Sequence, residues 1–88
     1  MPEDRLADPI VLIVEDDPML AEEMSIALRS HGLAAIVAPD WETAIQHVAS
    51  TPLDLIVLDQ RLGSVDAVLR LPALRVLTRV PVLVLTAN

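Results

Sequence analysis

The run Ile10-Val-Leu-Ile-Val14 constrains this chain more than any other feature, because it contains no polar alternation at all. A strand with one wet face alternates apolar and polar residues. A strand covered on both faces does not, so this run predicts an interior strand of a parallel sheet. It stops abruptly at Glu15-Asp16-Asp17-Pro18. Asp17 is placed to cap a helix whose first position is Pro18, where the missing N–H costs nothing. Leu20, Met24, Ala27, Leu28 and His31 then recur at helical spacing, and Gly32 is placed to end the helix in the left-handed region.

The same alternation continues along the chain. Leu33 to Val37 reads as a second strand, stopped by Pro39. Asp40 caps a second helix, in which Trp41, Ala44, Ile45 and Val48 share one face, and Pro52 closes it. Leu53 to Leu58, broken only by Asp54, reads as a third strand terminated by Asp59. Gly63 and Ser64 mark a loop, and Ala67 to Leu77 is helix-like, with Pro72 starting a new turn or kinking it. Val80-Pro-Val-Leu-Val-Leu85 is a fourth strand, with Pro81 tolerable near its start. The order β-α-β-α-β-α-β predicts an α/β unit with a parallel sheet, right-handed crossovers and helices on both faces. Residues 1–9 read as a tail and 10–88 as one domain, without internal repeat or linker.

Composition narrows the function. An 88-residue chain makes one small domain. Net charge is −7 and all six cations are Arg, so a phosphate backbone is repelled and direct nucleic-acid binding by this segment is not expected. Trp41 is the single aromatic, which excludes a base-stacking platform. The first eight residues carry Glu3, Asp4, Asp8 and one Arg, the wrong charge pattern for a secretory signal. Apolar runs fall far short of the roughly 20 residues needed to span a bilayer. With no cysteine either, a cytoplasmic protein without membrane contact is expected.

In an open α/β sheet, ligands bind beyond the carboxyl ends of the strands. Glu15 and Asp16 follow the first strand, Asp59 the third, and Thr86 the fourth. A lone acid there is ordinarily a cap or a strand-end polar residue. Three acids and a hydroxyl converging from distant segments point instead to function. Clustered carboxylates repel, so they raise one another's pKa or recruit a cation. With oxygen ligands only, the cation is hard, and Mg²⁺ fits best because it accepts one or two carboxylates, waters and a phosphoryl oxygen. A carboxylate beside it can attack a phosphoryl donor and form an acyl phosphate, with Thr86 donating to a phosphoryl oxygen.

Val11-Leu-Ile-Val-Glu-Asp-Asp-Pro18, Asp54-Leu-Ile-Val-Leu-Asp59 and Val80-Pro-Val-Leu-Val-Leu-Thr-Ala87 resemble, in this order and spacing, three signature segments of response-regulator receiver domains of two-component signalling. The resemblance runs from Ile10 to Ala87. It implies a doubly wound, flavodoxin-like sheet of order 2-1-3-4-5, here expected to be incomplete after the fourth strand. It implies a regulatory phosphoacceptor rather than an enzyme, with self-catalysed aspartyl phosphorylation at most. The phosphoryl group would come from a sensor histidine kinase or phosphotransfer protein. By position, Asp59 is the phosphoacceptor, Asp16 a direct Mg²⁺ ligand, and Glu15 a ligand acting largely through water. Arg61 offers its backbone carbonyl to the metal, Thr86 is the switch hydroxyl, and Ala87 leaves room beside it. Asp17 is assigned to capping.

Three features depart from that pattern. The family continues with a further helix, a fifth strand ending in a lysine beside the phosphoryl group, and a last helix; this sequence has no lysine. An apolar fourth strand at the sheet edge is expected to promote self-association. Gln60-Arg-Leu-Gly63 resembles the usual turn after the acceptor but lacks its common proline. The alternative function is therefore a degenerate receiver that binds partners without phosphoryl transfer. Two other readings fail on residues: a haloacid-dehalogenase-type phosphatase needs a second Asp where Arg61 stands, and a dinucleotide site needs a Gly-rich turn where Glu15-Asp16-Asp17 stands. His31, His47, Trp41 and the arginines at 70, 75 and 79 read as capping, packing or solvated positions.

Overall fold

The computed structural model describes residues 8–86. Its main sheet is built from β1 (Ile10–Val14), β2 (Ala34–Ala38), β3 (Leu55–Asp59) and β6 (Val82–Leu85). All pairs are parallel and the order is β2-β1-β3-β6. The parallel sheet is the one expected from the alternation, and its order is the doubly wound one that the receiver-domain resemblance implies. Between β3 and β6 lie a two-strand hairpin, β4 (Arg61–Leu62) and β5 (Val65–Asp66), then a 3₁₀ turn (Ala67–Arg70). The helices are α1 (Pro18–Ser30), α2 (Trp41–Ser50) and α3 (Leu71–Leu77).

The unbroken aliphatic run of β1 is explained by cover on both faces. Leu12 and Val14 pack with Ala44, Ile56, Leu58 and Leu74 on the side of α2 and α3. Val11 and Ile13 pack with Val57, Met24 and Leu28 on the side of α1. Pro9 already joins the ladder, its carbonyl accepting the Ala34 N–H at 2.8 Å.

Helix boundaries follow the capping chemistry. Asp17 Oδ1 accepts from the N–H groups of Met19 and Leu20, and Pro18 opens α1. At the other end the Gly32 N–H donates to Arg29 and the Leu33 N–H to Leu28, with Gly32 at φ 83°, closing the helix in a Schellman motif. His31 caps the same end through a 2.9 Å contact between Nδ1 and the Ala27 carbonyl. Asp40 accepts from the Thr43 N–H, which lowers its pKa, and so starts α2. Pro72 lies in the first turn of α3, directly after the 3₁₀ turn, so the expected interruption is the start of a new helix.

Four details differ from the expectations. The second and third strands start later, at Ala34 and Leu55, because Leu33 still closes α1 and Asp54 caps the sheet edge by accepting the Ile10 N–H. The fourth strand of the main sheet begins at Val82, after Pro81. The inward face of α1 is Ala21, Met24, Ser25 and Leu28, while Leu20 is 41% exposed and Ala27 and His31 face solvent. Small residues let the helix approach the strands closely, and a search for large apolar residues passes over them. The loop after Asp59 is a paired hairpin, in which Arg61 faces Asp66 and Leu62 faces Val65.

Arg70 lies over the Trp41 ring at 6.0 Å and Arg75 donates to the Thr78 carbonyl, so two of the three arginines in this region serve local structure. Among the described residues, no helix is long and apolar enough to cross a membrane. Leu83 and Leu85 on β6 are 53% and 36% exposed, and with Met24, Ala27, Leu28 and Val57 they line an apolar groove beside α1.

Candidate functional site

Register places the site. Val14 of β1 is level with Leu58 of β3, so the residues that follow, Glu15 and Asp59, emerge side by side at the carboxyl edge. Asp16 stands one residue further out. One carboxylate oxygen from each of Glu15, Asp16 and Asp59 lies within 4.8 Å of the others. Thr86 is also at this edge, because Asp59 is level with Leu85 of β6. Its side chain is exposed. Ala87 lies outside the described residues.

Each acid is held by one backbone amide. The Asp17 N–H donates to Glu15 Oε2 at 3.1 Å, the Gly63 N–H to Asp16 Oδ2 at 2.9 Å, and the Arg61 N–H to Asp59 Oδ1 at 3.4 Å. These donors offset part of the mutual repulsion of three carboxylates and leave other oxygens free. Asp17 therefore has two tasks: its carboxylate caps α1 while its N–H orients Glu15. Gly63 had signalled only a loop. Its φ of 62° marks a turn that an ordinary residue resists, and that turn aims its N–H at Asp16.

Glu15 is 5% exposed, and burial raises its pKa; the Asp17 N–H opposes the shift, while the charges of Asp59 and Asp16 add to it. The folded chain thus binds this proton more tightly than the unfolded chain does. The resulting stabilisation is complete below the ordinary value of 4.5 and is lost as pH rises through the raised one. Glu15→Gln should therefore unfold at higher urea than the parent at pH 7 without metal, and the difference should vanish near pH 4. Saturating divalent cation should reverse the order at pH 7. An equal midpoint for both proteins at all three conditions would contradict this electrostatic account.

The donor set fits a hard divalent cation. Oxygens about 2.1 Å from such an ion stand roughly 3 Å apart when adjacent and about 4 Å apart across it. Oxygens already within 4.8 Å reach that arrangement with small side-chain adjustments.

The family described as "Response regulator receiver domain" matches residues 11–88. The DNA-binding response regulator MtrA of Mycolicibacterium smegmatis is 36% identical over 78 residues, 89% of this chain and 34% of its own length. The chain spans about a third of the length of such curated relatives. The N-terminal domain of a response regulator/sensory box/GGDEF three-domain protein from Carboxydothermus hydrogenoformans superposes with a TM-score of 0.83 at 32% identity, covering 90% of this chain and 65% of that one. A response regulator from Burkholderia pseudomallei, solved with a phosphorylated aspartic acid, a calcium ion and citrate, superposes at 0.84 and 23% identity over 92% of this chain and 48% of its own. With its parallel sheet in the order β2-β1-β3-β6 and three acids gathered at the carboxyl edge, the chain belongs to the response regulator receiver domain family.

Proposed function

We propose that the chain is the phosphoacceptor module of a two-component phosphorelay, taking a phosphoryl group from a sensor histidine kinase or phosphotransfer protein onto Asp59. The observation that carries this reading is the convergence of Glu15, Asp16 and Asp59 from two adjacent strand ends. Glu15, Asp16, Asp59 and the Arg61 carbonyl would hold Mg²⁺. The ion supplies charge neutralisation for the anionic donor when bound.

An Asp59 carboxylate oxygen attacks phosphorus, the bond from phosphorus to the donor's nitrogen or oxygen breaks, and an aspartyl phosphate forms. The leaving group departs with the bonding pair and takes its proton from solvent. The Arg61 N–H holds one Asp59 oxygen and leaves the other to attack. The Thr86 hydroxyl donates to a phosphoryl oxygen. The Burkholderia pseudomallei relative carries a phosphorylated aspartic acid and a calcium ion, the same pairing of chemistry. The role is regulatory, with self-catalysed phosphorylation at most. The cytoplasm is the compartment this reading assigns, and direct nucleic-acid contact is left out of it because the segment carries −7.

A second reading, an interaction module without phosphoryl transfer, is favoured by the apolar groove and the exposed Leu83 and Leu85, through which β6 could also self-associate. Incubation with acetyl phosphate and Mg²⁺, followed by intact-mass measurement, separates the two. The first reading expects one added phosphoryl group that chelator prevents and hydroxylamine removes. A folded sample with no mass gain leaves only the second.

A further inference from the structure

Of the three amides that hold the acids, two act locally and one bridges distant segments. Asp17 and Arg61 each lie two residues from the carboxylate they serve, whereas the Gly63 N–H reaches Asp16 across 47 residues. Gly63 sits at the tip of the β4–β5 hairpin, between Leu62 and Val65, with φ 62° and open space where a Cβ would stand. The hairpin is anchored by buried Leu62 and, at its base, by the Ala67 N–H donating to the Gln60 carbonyl at 2.7 Å. Its tip reaches Asp16 through the Gly63 amide.

We propose that the Gly63 backbone amide is a positioning group of the metal site, orienting Asp16 and pinning the hairpin that carries Arg61 before any cation binds. This rests on the metal reading above. The physical reason is preorganisation. Asp16 is exposed, and a free exposed carboxylate loses rotamer freedom when it binds an ion. One already held by an N–H has lost much of that freedom beforehand. The same bond sets the height of the hairpin, and with it Arg61, whose carbonyl is a proposed ligand. The amide engages Oδ2 and leaves Oδ1 of Asp16 without that donor.

The decisive probe changes the amide alone. Chemical synthesis of the chain with glycolic acid at position 63 replaces the N–H by an ester oxygen and leaves the torsions free. Gly63→Asn is the conservative partner: it keeps the N–H, and asparagine tolerates positive φ. Calorimetric titration with Mg²⁺ and metal-free amide hydrogen exchange are then compared across the three proteins. The ester should bind Mg²⁺ about tenfold more weakly, as expected for a hydrogen bond to a charged group. Exchange in the β4–β5 hairpin should quicken in the ester even without metal, while Gly63→Asn stays within about twofold of the parent in both readouts. Parent-like affinity and protection in the ester would overturn this inference alone. Failure of the parent itself to bind Mg²⁺ would overturn the metal reading and this inference with it.

Discussion

The Asp59→Asn protein should take up no phosphoryl group from acetyl phosphate and Mg²⁺ under conditions where the parent gains one. An amide oxygen has no negative charge to offer phosphorus, and no other acid occupies the same strand end on β3. The substitution is nearly isosteric, and asparagine's carbonyl can still accept the Arg61 N–H. The fold is therefore preserved while the chemistry is deleted. Two further changes are expected. Removing one of three carboxylates that lie within 4.8 Å relieves repulsion, so the metal-free variant should resist urea at least as well as the parent. It should also bind Mg²⁺ on the order of tenfold more weakly, about 1.4 kcal/mol. Intact mass, urea denaturation and calorimetry check the three effects separately. Phosphorylation persisting in Asp59→Asn would move the acceptor elsewhere, Asp16 being the nearest exposed candidate.

How much of this was legible beforehand depended on the length of each signal. β1 was readable because five consecutive aliphatic residues need cover on both faces, which only an interior strand receives. The caps at Asp17 and Asp40, with Pro18 and Gly32, were readable because each residue type solves one local backbone problem. From strand ends and topology alone, the edge at which Glu15, Asp16 and Asp59 meet follows. What sequence could not reveal is shorter or more distant. The β4–β5 hairpin has two residues per strand, too few for any periodicity to register. The inward face of α1 uses Ala21 and Ser25, whose value is small size rather than hydropathy. The Gly63–Asp16 contact joins residues that only the folded chain brings together.

Leu12→Ala is expected to be the most damaging core change, and Mg²⁺ should undo part of it. Leu12 is fully buried in β1, a strand flanked by β2 and β3 and delivering Glu15 and Asp16 to the site. Truncating such a leucine costs about 2–5 kcal/mol. For a chain of 88 residues the whole stability is roughly 4–13 kcal/mol, so this one change removes a large share of it. Leu83→Ala, at a side chain already 53% exposed, should cost about 0.5 kcal/mol or less and serves as the control. Trp41, the sole aromatic and packed against the core, reports unfolding by fluorescence in urea. Because a cation that binds only the folded chain stabilises it by mass action, free Mg²⁺ a hundredfold above its dissociation constant should return about 2.7 kcal/mol. The double variant Leu12→Ala with Asp59→Asn should recover less at the same concentration, since its affinity is lower. If Mg²⁺ shifted neither urea midpoint, the acids at the carboxyl edge would not be acting together on an ion, and the repulsion among them would have to be offset by the three backbone amides alone.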